Sequence, residues 1–321
     1  MTQASLKHAG KRRRLSKIIL GLIGILVLFS LALGLWLRPN GLPLFASPED
    51  WMLSRHGSPL ELTEAEPETA ADGSLIHDLK LTSSSGLTVD FMLRGPAAPA
   101  QPMPLIVLVG GYRTGRKAVR LISECQTFFV AAIDYPFDGN IRIKGTGPVL
   151  RALPRMRLAL YEVAPALMLA LDQLLEAHPI DPDRVELVGV SLGAPLACVA
   201  GALDPRFKRV WAIQGGGDLL TIFDHNLKSK APNPILRFAA SHFATRIVAT
   251  LAPEDWVGRI SPRPFVLVEA TSDERIPTQC ADLLFERSRR PHERISIPGG
   301  HLNIKKEGAV DVLVRIVQDR L

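Results

Sequence analysis

The longest run of apolar residues lies near the N-terminus. Residues 18–37 carry no charge, and Ser30 is the only polar side chain among these twenty residues. A helix that rises about 1.5 Å per residue needs about 20 apolar residues to cross a lipid bilayer. The pattern therefore predicts one transmembrane helix over residues 18–37, with Trp36 as an interfacial anchor near its far end.

A cleaved signal peptide is the alternative for this segment. The apolar stretch of a signal peptide usually spans about 7–15 residues, which is shorter than this run. No small-x-small cleavage motif follows the run directly, although residues 32–34 (ALG) and Ala46 leave cleavage open. The length favours an uncleaved anchor.

After residue 38 the pattern changes twice. Residues 38–73 show no sustained period and are predicted to be a linker, except that Ser47 to Asp50 has the residue order of a helix start. A short helix is therefore expected to run to about His56. From residue 74 onward, segments typical of strands alternate with segments typical of helices.

This alternation predicts an α/β domain over residues 74–321 with a largely parallel sheet between helices. A hairpin turns around residues 84–86, and continuous apolar runs indicate strands that are buried on both faces. The predicted strands are Leu75–Thr82, Leu87–Leu93, Pro104–Val109, Phe128–Ile133, Val185–Val190, Val210–Gln214, Phe265–Ala270 and Arg294–Ile297. The predicted helices are Gly115–Gln126, Pro154–Ala177, Leu192–Ala202 and Ala309–Arg320. Residues 217–262 are too long for a simple crossover and predict a small helical lid.

Positive charge is concentrated before the apolar run. Residues 1–17 hold six of the 38 Lys and Arg residues and no Asp or Glu, which leaves 32 basic against 32 acidic residues elsewhere. Since the body is neutral, the net charge of +6 does not indicate a nucleic-acid partner. The positive-inside rule makes residues 1–17 a cytoplasmic tail and places everything after residue 38 on the other side. We expect a single-pass protein of the bacterial inner membrane with a non-cytoplasmic domain.

The strongest chemical motif is GVSLG at residues 189–193, between a predicted strand and a predicted helix. On such a sharp turn a serine hydroxyl stands clear of the sheet, and the glycines Gly189 and Gly193 avoid clashes across it. Ser191 is therefore the candidate nucleophile. The alternative is an ordinary glycine-rich turn with a structural serine.

A serine nucleophile needs a base, and the base needs an orienting group. His301 follows Gly299 and Gly300 after the last predicted strand, and Asp273 lies in the loop after the preceding strand. Both sit at the carboxyl ends of strands, where open parallel sheets bind ligands. The other histidines are assigned to surface or core positions: His8, His56, His77, His178, His225, His242 and His292.

For the acid that orients His301, the sequence offers three candidates besides Asp273. Asp218 follows the earlier strand, Glu269 lies within a strand, and Glu274 is one residue further along the loop. Asp273 is preferred because it lies in the loop just after the strand Phe265–Ala270, and the 28 residues from Asp273 to His301 leave room for one helix and one strand.

An oxyanion hole needs two backbone N–H groups. One would come from Leu192, and the other from Tyr112, which follows Gly110 and Gly111 after a predicted strand.

The basic residues beyond this loop either recognise an anionic substrate or form a solvated helix face, and the second is favoured. These residues are Arg113, Arg116, Lys117 and Arg120. The three cysteines have no metal-ligand spacing, and Cys198 is expected to be a small buried thiol.

These motifs resemble the α/β-hydrolase superfamily, in its esterase, lipase and dienelactone-hydrolase-like branches. The resemblance covers residues 74–321 and rests on GVSLG at 189–193, GGY at 110–112, SDERIP at 272–277 and PGGH at 298–301. It implies an α/β-hydrolase fold, Ser191 as nucleophile, Asp273 as acid, His301 as base, and neither a metal nor an organic cofactor. Many members carry His-Gly where this chain has Gly110-Gly111.

The predicted function is hydrolysis of a small-molecule or lipid carboxylic ester through an acyl-enzyme. Amide or peptide cleavage, or acyl transfer to an acceptor other than water, are alternatives on the same residues. A non-catalytic, membrane-tethered binding module is the alternative from another class, and the intact set of Ser191, Asp273 and His301 argues against it. The sequence leaves the acyl chain, the leaving group and the oligomeric state open.

Overall fold

The computed structural model describes residues 24–25, 27–36, 38, 47–111, 114–137, 145–304 and 308–321. Ten strands occur in these residues: β1 Pro59–Glu64, β2 Glu68–Thr69, β3 Leu75–Ser83, β4 Thr88–Gly95, β5 Met103–Val109, β6 Phe129–Ile133, β7 Ile180–Val190, β8 Arg209–Ile213, β9 Phe265–Ala270 and β10 His292–Ile297. The helices are α1 Val27–Trp36, α2 Pro48–His56, α3 Thr146–Ala177, α4 Gly193–Leu203, α5 Leu219–Leu227, α6 Pro234–Val248, α7 Pro253–Trp256, α8 Thr278–Arg287 and α9 Ala309–Gln318. Short 3₁₀ turns cover Gly115–Leu121, Ala249–Leu251 and Val257–Arg259.

All of these strands belong to one sheet in the order β1-β3-β4-β6-β5-β7-β8-β9-β10, with β2 beside β3. The strands from β6 to β10 pair in parallel, whereas β1 to β4 pair antiparallel and β4 meets β6 antiparallel. The prediction of a largely parallel sheet with a leading hairpin is confirmed. The carboxyl ends of β5, β7, β8, β9 and β10 therefore lie along one edge.

The sheet separates two buried apolar clusters. Along β5, Val107 and Val109 pack with α3 and α4 on one face, and Ile106 packs with α9 on the other. Side chains alternate between faces along a strand, so a strand that is buried on both faces needs apolar residues at every position. This explains the continuous apolar runs of the sequence.

Helix α3 is longer than predicted. It begins at Thr146 rather than near Pro154, and it contains Pro154 and Pro165. Within the part of the chain that the structure describes, its segment Gly147–Ala177 is the one helix long and apolar enough to cross a membrane. Because 72% of its most apolar window is buried inside the protein, α3 is a core helix.

The predicted transmembrane segment 18–37 lies partly outside the described residues. Its described portion includes the apolar helix α1, whose large side chains are exposed, for example Leu28 and Phe29. The anchor therefore stays a prediction.

The linker predicted over residues 38–73 is too long at its C-terminal end. The short helix is present as α2, and the Ser47 hydroxyl caps it by accepting a hydrogen bond from the Asp50 amide. Trp51 and Met52 of α2 are buried in the core under α3. Strands β1 and β2 then extend the sheet beside β3. Their side chains are exposed, and the two leucines of β1, Leu60 and Leu62, make too short an alternation to predict a strand. An edge strand of this kind can be held by its backbone hydrogen bonds.

One further segment differs from its prediction, and another agrees with its prediction of helices. The helix expected over Gly115–Gln126 is only a 3₁₀ turn over Gly115–Leu121. The segment 217–262, named the insertion below, is helical and contains α5, α6 and α7 between β8 and β9. Its role as a lid stays a prediction.

Candidate active site

Ser191 stands on a sharp turn between β7 and α4. Its backbone φ of 54° lies in the left-handed region, which residues other than glycine rarely adopt. A Cβ on Gly193 would lie 1.8 Å from the Val109 carbonyl oxygen, and one on Gly189 would lie 2.5 Å from the Ala197 Cβ. Only glycine fits at these two positions, so the GVSLG spacing is a steric requirement of the turn.

The turn and two loops bring three polar side chains together. The Ser191 Oγ lies 2.8 Å from the His301 Nε2, and the His301 Nδ1 lies 2.9 Å from both carboxylate oxygens of Asp273. The side chains of His301 and Asp273 are only 3% and 6% exposed. Electrostatic interactions are stronger in such a water-poor setting than at the surface.

Backbone amides hold the Asp273 carboxylate in place to accept a hydrogen bond from the imidazole of His301. Its carboxylate also accepts hydrogen bonds from the amides of Arg275 at 2.8 Å and Ile276 at 2.9 Å. Burial alone would raise the pKa of Asp273, but the hydrogen bonds from His301, Ile276 and Arg275 outweigh it and hold this pKa below its ordinary value. The carboxylate is therefore ionised at neutral pH.

The three other acids considered from the sequence have different partners. Asp218 caps α5 and accepts hydrogen bonds from the Thr221 amide and hydroxyl. Glu269 bonds Arg294 and Ser296 of the neighbouring strand. Glu274 accepts a hydrogen bond from the backbone amide of His301 at 2.8 Å, not from its ring.

Gln214 and Glu274 hold the histidine loop in place, a role that the sequence did not reveal. Gln214 is 3% exposed, donates from Nε2 to the Gly300 carbonyl at 3.2 Å, and accepts from the Leu302 amide at 2.5 Å. Its φ of 50° is also left-handed. The hydrogen bond from the His301 amide lowers the pKa of Glu274. One feature of the sequence could have marked Gln214 as a site residue: it is a polar residue directly after the apolar run of a buried strand.

The oxyanion candidates are described in part. Leu192 precedes α4, and the first amides of a helix have no acceptor inside the helix. Tyr112 lies outside the described residues. Before it, the Gly110 carbonyl accepts a hydrogen bond from the hydroxyl of Tyr135 at 2.7 Å. A Cβ on Gly110 or Gly111 would meet nothing within 4 Å, so the space before this loop is open to a ligand.

Two of the basic residues beyond the loop pair with acidic side chains, and Lys117 is exposed. Arg116 pairs with Asp134 and Asp78, and Arg120 pairs with Glu68. This agrees with a solvated face rather than with an anion site; Arg113 lies outside the described residues.

The cysteines Cys125, Cys198 and Cys280 are free and buried, and burial raises the pKa of each thiol. Among the described residues, no cluster of metal ligands occurs.

Two apolar cavities meet at Ser191. The first cavity has about 610 Å³ and lies between the sheet and α9, with Ser191 and His301 at its mouth. The second cavity has about 380 Å³ and lies between the start of α4 and the insertion, with Ser191 and Leu192 in its wall. Arg275 contributes to both cavities. Each volume falls within the range of ligand pockets, about 300–1,000 Å³.

Comparison with solved structures identifies the fold. An acetyl xylan esterase from Thermoanaerobacterium sp. JW/SL YS485 is 16% identical with a TM-score of 0.59, over 85% of this chain and 92% of that chain. An acetyl xylan esterase from Paenibacillus sp. R4 is 14% identical with a TM-score of 0.61, over 89% and 98%. A glucuronoyl esterase from Solibacter usitatus is 14% identical with a TM-score of 0.51, over 85% and 92%.

Another similar solved structure is described as an α/β hydrolase from Penicillium sp. sh18, 17% identical with a TM-score of 0.50, over 81% of this chain and 97% of that chain. No family model matches the chain, and no curated protein matches it. At these identities the likeness concerns the fold alone. The chain has the α/β-hydrolase fold.

Proposed function

We propose that this α/β-hydrolase fold is a serine hydrolase that cleaves carboxylic esters through an acyl-enzyme. The observation that carries the proposal is the continuous hydrogen-bonded series from the Ser191 hydroxyl through the His301 ring to the Asp273 carboxylate. A binding module would not need a serine on a strained turn with a base 2.8 Å from its hydroxyl. The esterase activity of the structural neighbours agrees with this choice of reaction.

The proposed reaction has two halves. In the first, the Ser191 Oγ attacks the ester carbonyl carbon, the C=O electron pair moves to the oxygen, and the His301 Nε2 takes the hydroxyl proton. The tetrahedral intermediate collapses, the bond to the alkoxy oxygen breaks, and His301 gives its proton to the leaving alcohol. Water then attacks the acyl carbon while His301 accepts a water proton. Collapse releases the carboxylic acid, and the proton returns to Ser191.

The surroundings have separate roles in this mechanism. Ionised Asp273 would hold the His301 tautomer that accepts at Nε2 and would stabilise the imidazolium. The Leu192 amide, at the positive end of α4, would stabilise the oxyanion. Tyr112 is proposed as the second amide donor, since Gly110 and Gly111 leave the space before this loop open.

We also propose that residues 18–37 anchor the enzyme in the bacterial inner membrane, with the catalytic domain outside the cytoplasm. The charge distribution and the length of the apolar run support this. The full-length protein should then stay in the membrane fraction after a carbonate wash, and protease on the non-cytoplasmic side should digest the domain. A mature N-terminus after residue 30 would instead show a cleaved signal peptide.

A fluorophosphonate labelling experiment tests the nucleophile. The full-length protein in detergent should be labelled, and Ser191→Ala should abolish labelling while the melting temperature is retained. Ser229→Ala, at an exposed serine of the insertion, is the matched control and should label like the wild type. Labelling of Ser191→Ala would place the nucleophile elsewhere. A folded wild-type protein that does not label would support the binding module.

A further inference from the structure

Resting on the proposed function, we infer that the two cavities hold the two halves of the ester separately. The first cavity binds the leaving alcohol, and the second cavity binds the acyl group. The substrate class is then an ester with an apolar group on each side of the scissile bond, and the alcohol is the larger of the two.

The position of His301 assigns the cavities. A group that gives a proton to the leaving oxygen must lie within hydrogen-bond reach of it. His301 lines the first cavity together with Ser191, but it does not line the second. The alkoxy oxygen must therefore lie at the mouth of the first cavity. With the carbonyl oxygen directed at the Leu192 amide, the acyl group is left on the α4 side of Ser191, where the second cavity opens.

The lining of the first cavity indicates an apolar alcohol. Its wall runs from Gly110 at the sheet edge past the partly exposed Leu108 of β5. At its inner end the wall contains Ile106, Val188 and Ile213, all at most 3% exposed. A charged or hydroxylated group at this depth would lose its hydration without a partner. The deep part therefore accepts hydrocarbon.

The 3₁₀ turn over Gly115–Leu121 lies beside the first cavity. Ala118 and Leu121 of the turn and Val314 of α9 form the outer wall of the first cavity. In contrast, the second cavity is enclosed by Leu219 and Ile222 of the insertion.

Two series of ester substrates test the roles of the two cavities separately. One series holds the acyl group at acetyl and lengthens a linear alcohol, and the other holds the alcohol at ethyl and lengthens a linear acyl chain. Acid release in a pH-stat gives kcat/KM for each ester. Val314→Phe fills the first cavity, and its exposed neighbour on α9 gives the control Val312→Phe. Ile222→Phe fills the second cavity, and exposed Ile235 of α6 gives the control Ile235→Phe.

Val314→Phe should lower kcat/KM for the longest alcohol at least about tenfold more than for ethyl acetate, since a few methylenes in a pocket are worth that much. Ile222→Phe should do the same in the acyl series. The exposed controls should change neither ratio. If Val314→Phe does not fold, Ala118→Leu narrows the same cavity from its other wall.

Failure of this inference can be distinguished from failure of the proposed function. If Val314→Phe acts on the acyl series and Ile222→Phe on the alcohol series, the assignment is reversed and our inference is wrong. If both variants act on one series, or neither ratio changes, the cavities do not divide the ester and the inference is again wrong. A wild-type protein that hydrolyses neither series and resists fluorophosphonate labelling would overturn the proposed function itself.

Discussion

The Ser191 turn and the His301 loop are held in place by different means. The turn is fixed by backbone sterics over a short stretch, because glycines at 189 and 193 allow β7, α4 and the end of β5 to meet. The His301 loop is fixed by side chains from other elements. Gln214 follows β8 and Glu274 follows β9, and each bonds the backbone of the loop.

This difference has a chemical consequence. A nucleophile on a strained turn is positioned before any substrate arrives, and an error of about 1 Å in a reacting group can cost about 10²-fold in rate. The His301 loop contains Gly299 with a φ of 117° and would have more freedom without its two supports. Stability should therefore respond to changes at the turn, and kcat to changes around the loop.

The largest effect is expected at Asp273. Asp273→Asn keeps the shape but supports the wrong histidine tautomer, so kcat should fall by about 10⁴-fold with little change in KM or melting temperature. Steady-state kinetics and calorimetry measure both. Asp218→Asn is the matched control and should cost far less, because Asp218 caps α5. The reverse result would move the acid to the end of β8.

A change at the turn should act through packing. In Gly193→Ala the added Cβ would clash with the Val109 carbonyl oxygen, and backbone cannot move aside as a flexible side chain can. We expect the free energy of unfolding to fall by about 3 kcal/mol and fluorophosphonate labelling to slow by about 10²-fold. Gly110→Ala, where an added Cβ meets nothing within 4 Å, should leave unfolding unchanged. Equal denaturation midpoints for both variants would contradict the steric argument.

A smaller effect is expected when the support under the histidine loop is removed. Gln214→Met keeps the length of the side chain but leaves the Leu302 amide and the Gly300 carbonyl without their partner. An unsatisfied buried group costs about 1–3 kcal/mol, so kcat should fall about tenfold while KM stays near the wild-type value. Gln214→Glu, which can still accept from the Leu302 amide, should recover part of the loss. A loss confined to KM would show that Gln214 shapes a binding surface instead.

The smallest effect is expected at Glu274, which is exposed. Glu274→Ala should lower kcat about threefold, and Glu274→Gln should stay near the wild type because its amide oxygen can still accept from the His301 amide. Folding lowers the pKa of Glu274, so the ionised carboxylate contributes to stability above its unfolded pKa. This contribution is lost as the pH falls through the lower folded pKa. The stability difference between wild type and Glu274→Gln should therefore shrink in acid, as measured by denaturant titration.

The sequence predicted the parts of the fold that depend on local patterns. The bounds of β9 match the predicted Phe265–Ala270, and β5 differs from its prediction by one residue, because both strands are mainly apolar, with Glu269 of β9 as the one charged residue, and both end at loops. The Ser191 turn was recognisable for the same reason: its steric requirement lies within five residues.

Features that depend on distant contacts were missed. Nothing near Gln214 in the sequence indicates that it reaches residues 300 and 302, since that contact exists only once the loops meet. The start of α3 was placed too late because prolines usually end a helix, whereas here Pro154 and Pro165 lie within one. Strand β1 was taken for linker because its side chains are exposed and its apolar alternation is limited to two residues, Leu60 and Leu62.

If residues 18–37 anchor the chain as proposed, the packing of α2 on the core sets how far the folded domain can reach from the bilayer. Since helix α2 begins at Pro48 and is capped by Ser47, residues 38–46 separate the capped helix from the proposed anchor, which ends at residue 37. Whatever their conformation, the nine peptide steps from Arg38 to Ser47 span at most roughly 32 Å. A catalytic domain joined to the proposed anchor by so short a linker would sample only a thin layer of solution next to the lipid headgroups. It would meet esters dissolved in that membrane at high local concentration and esters free in the compartment only when they diffuse to it.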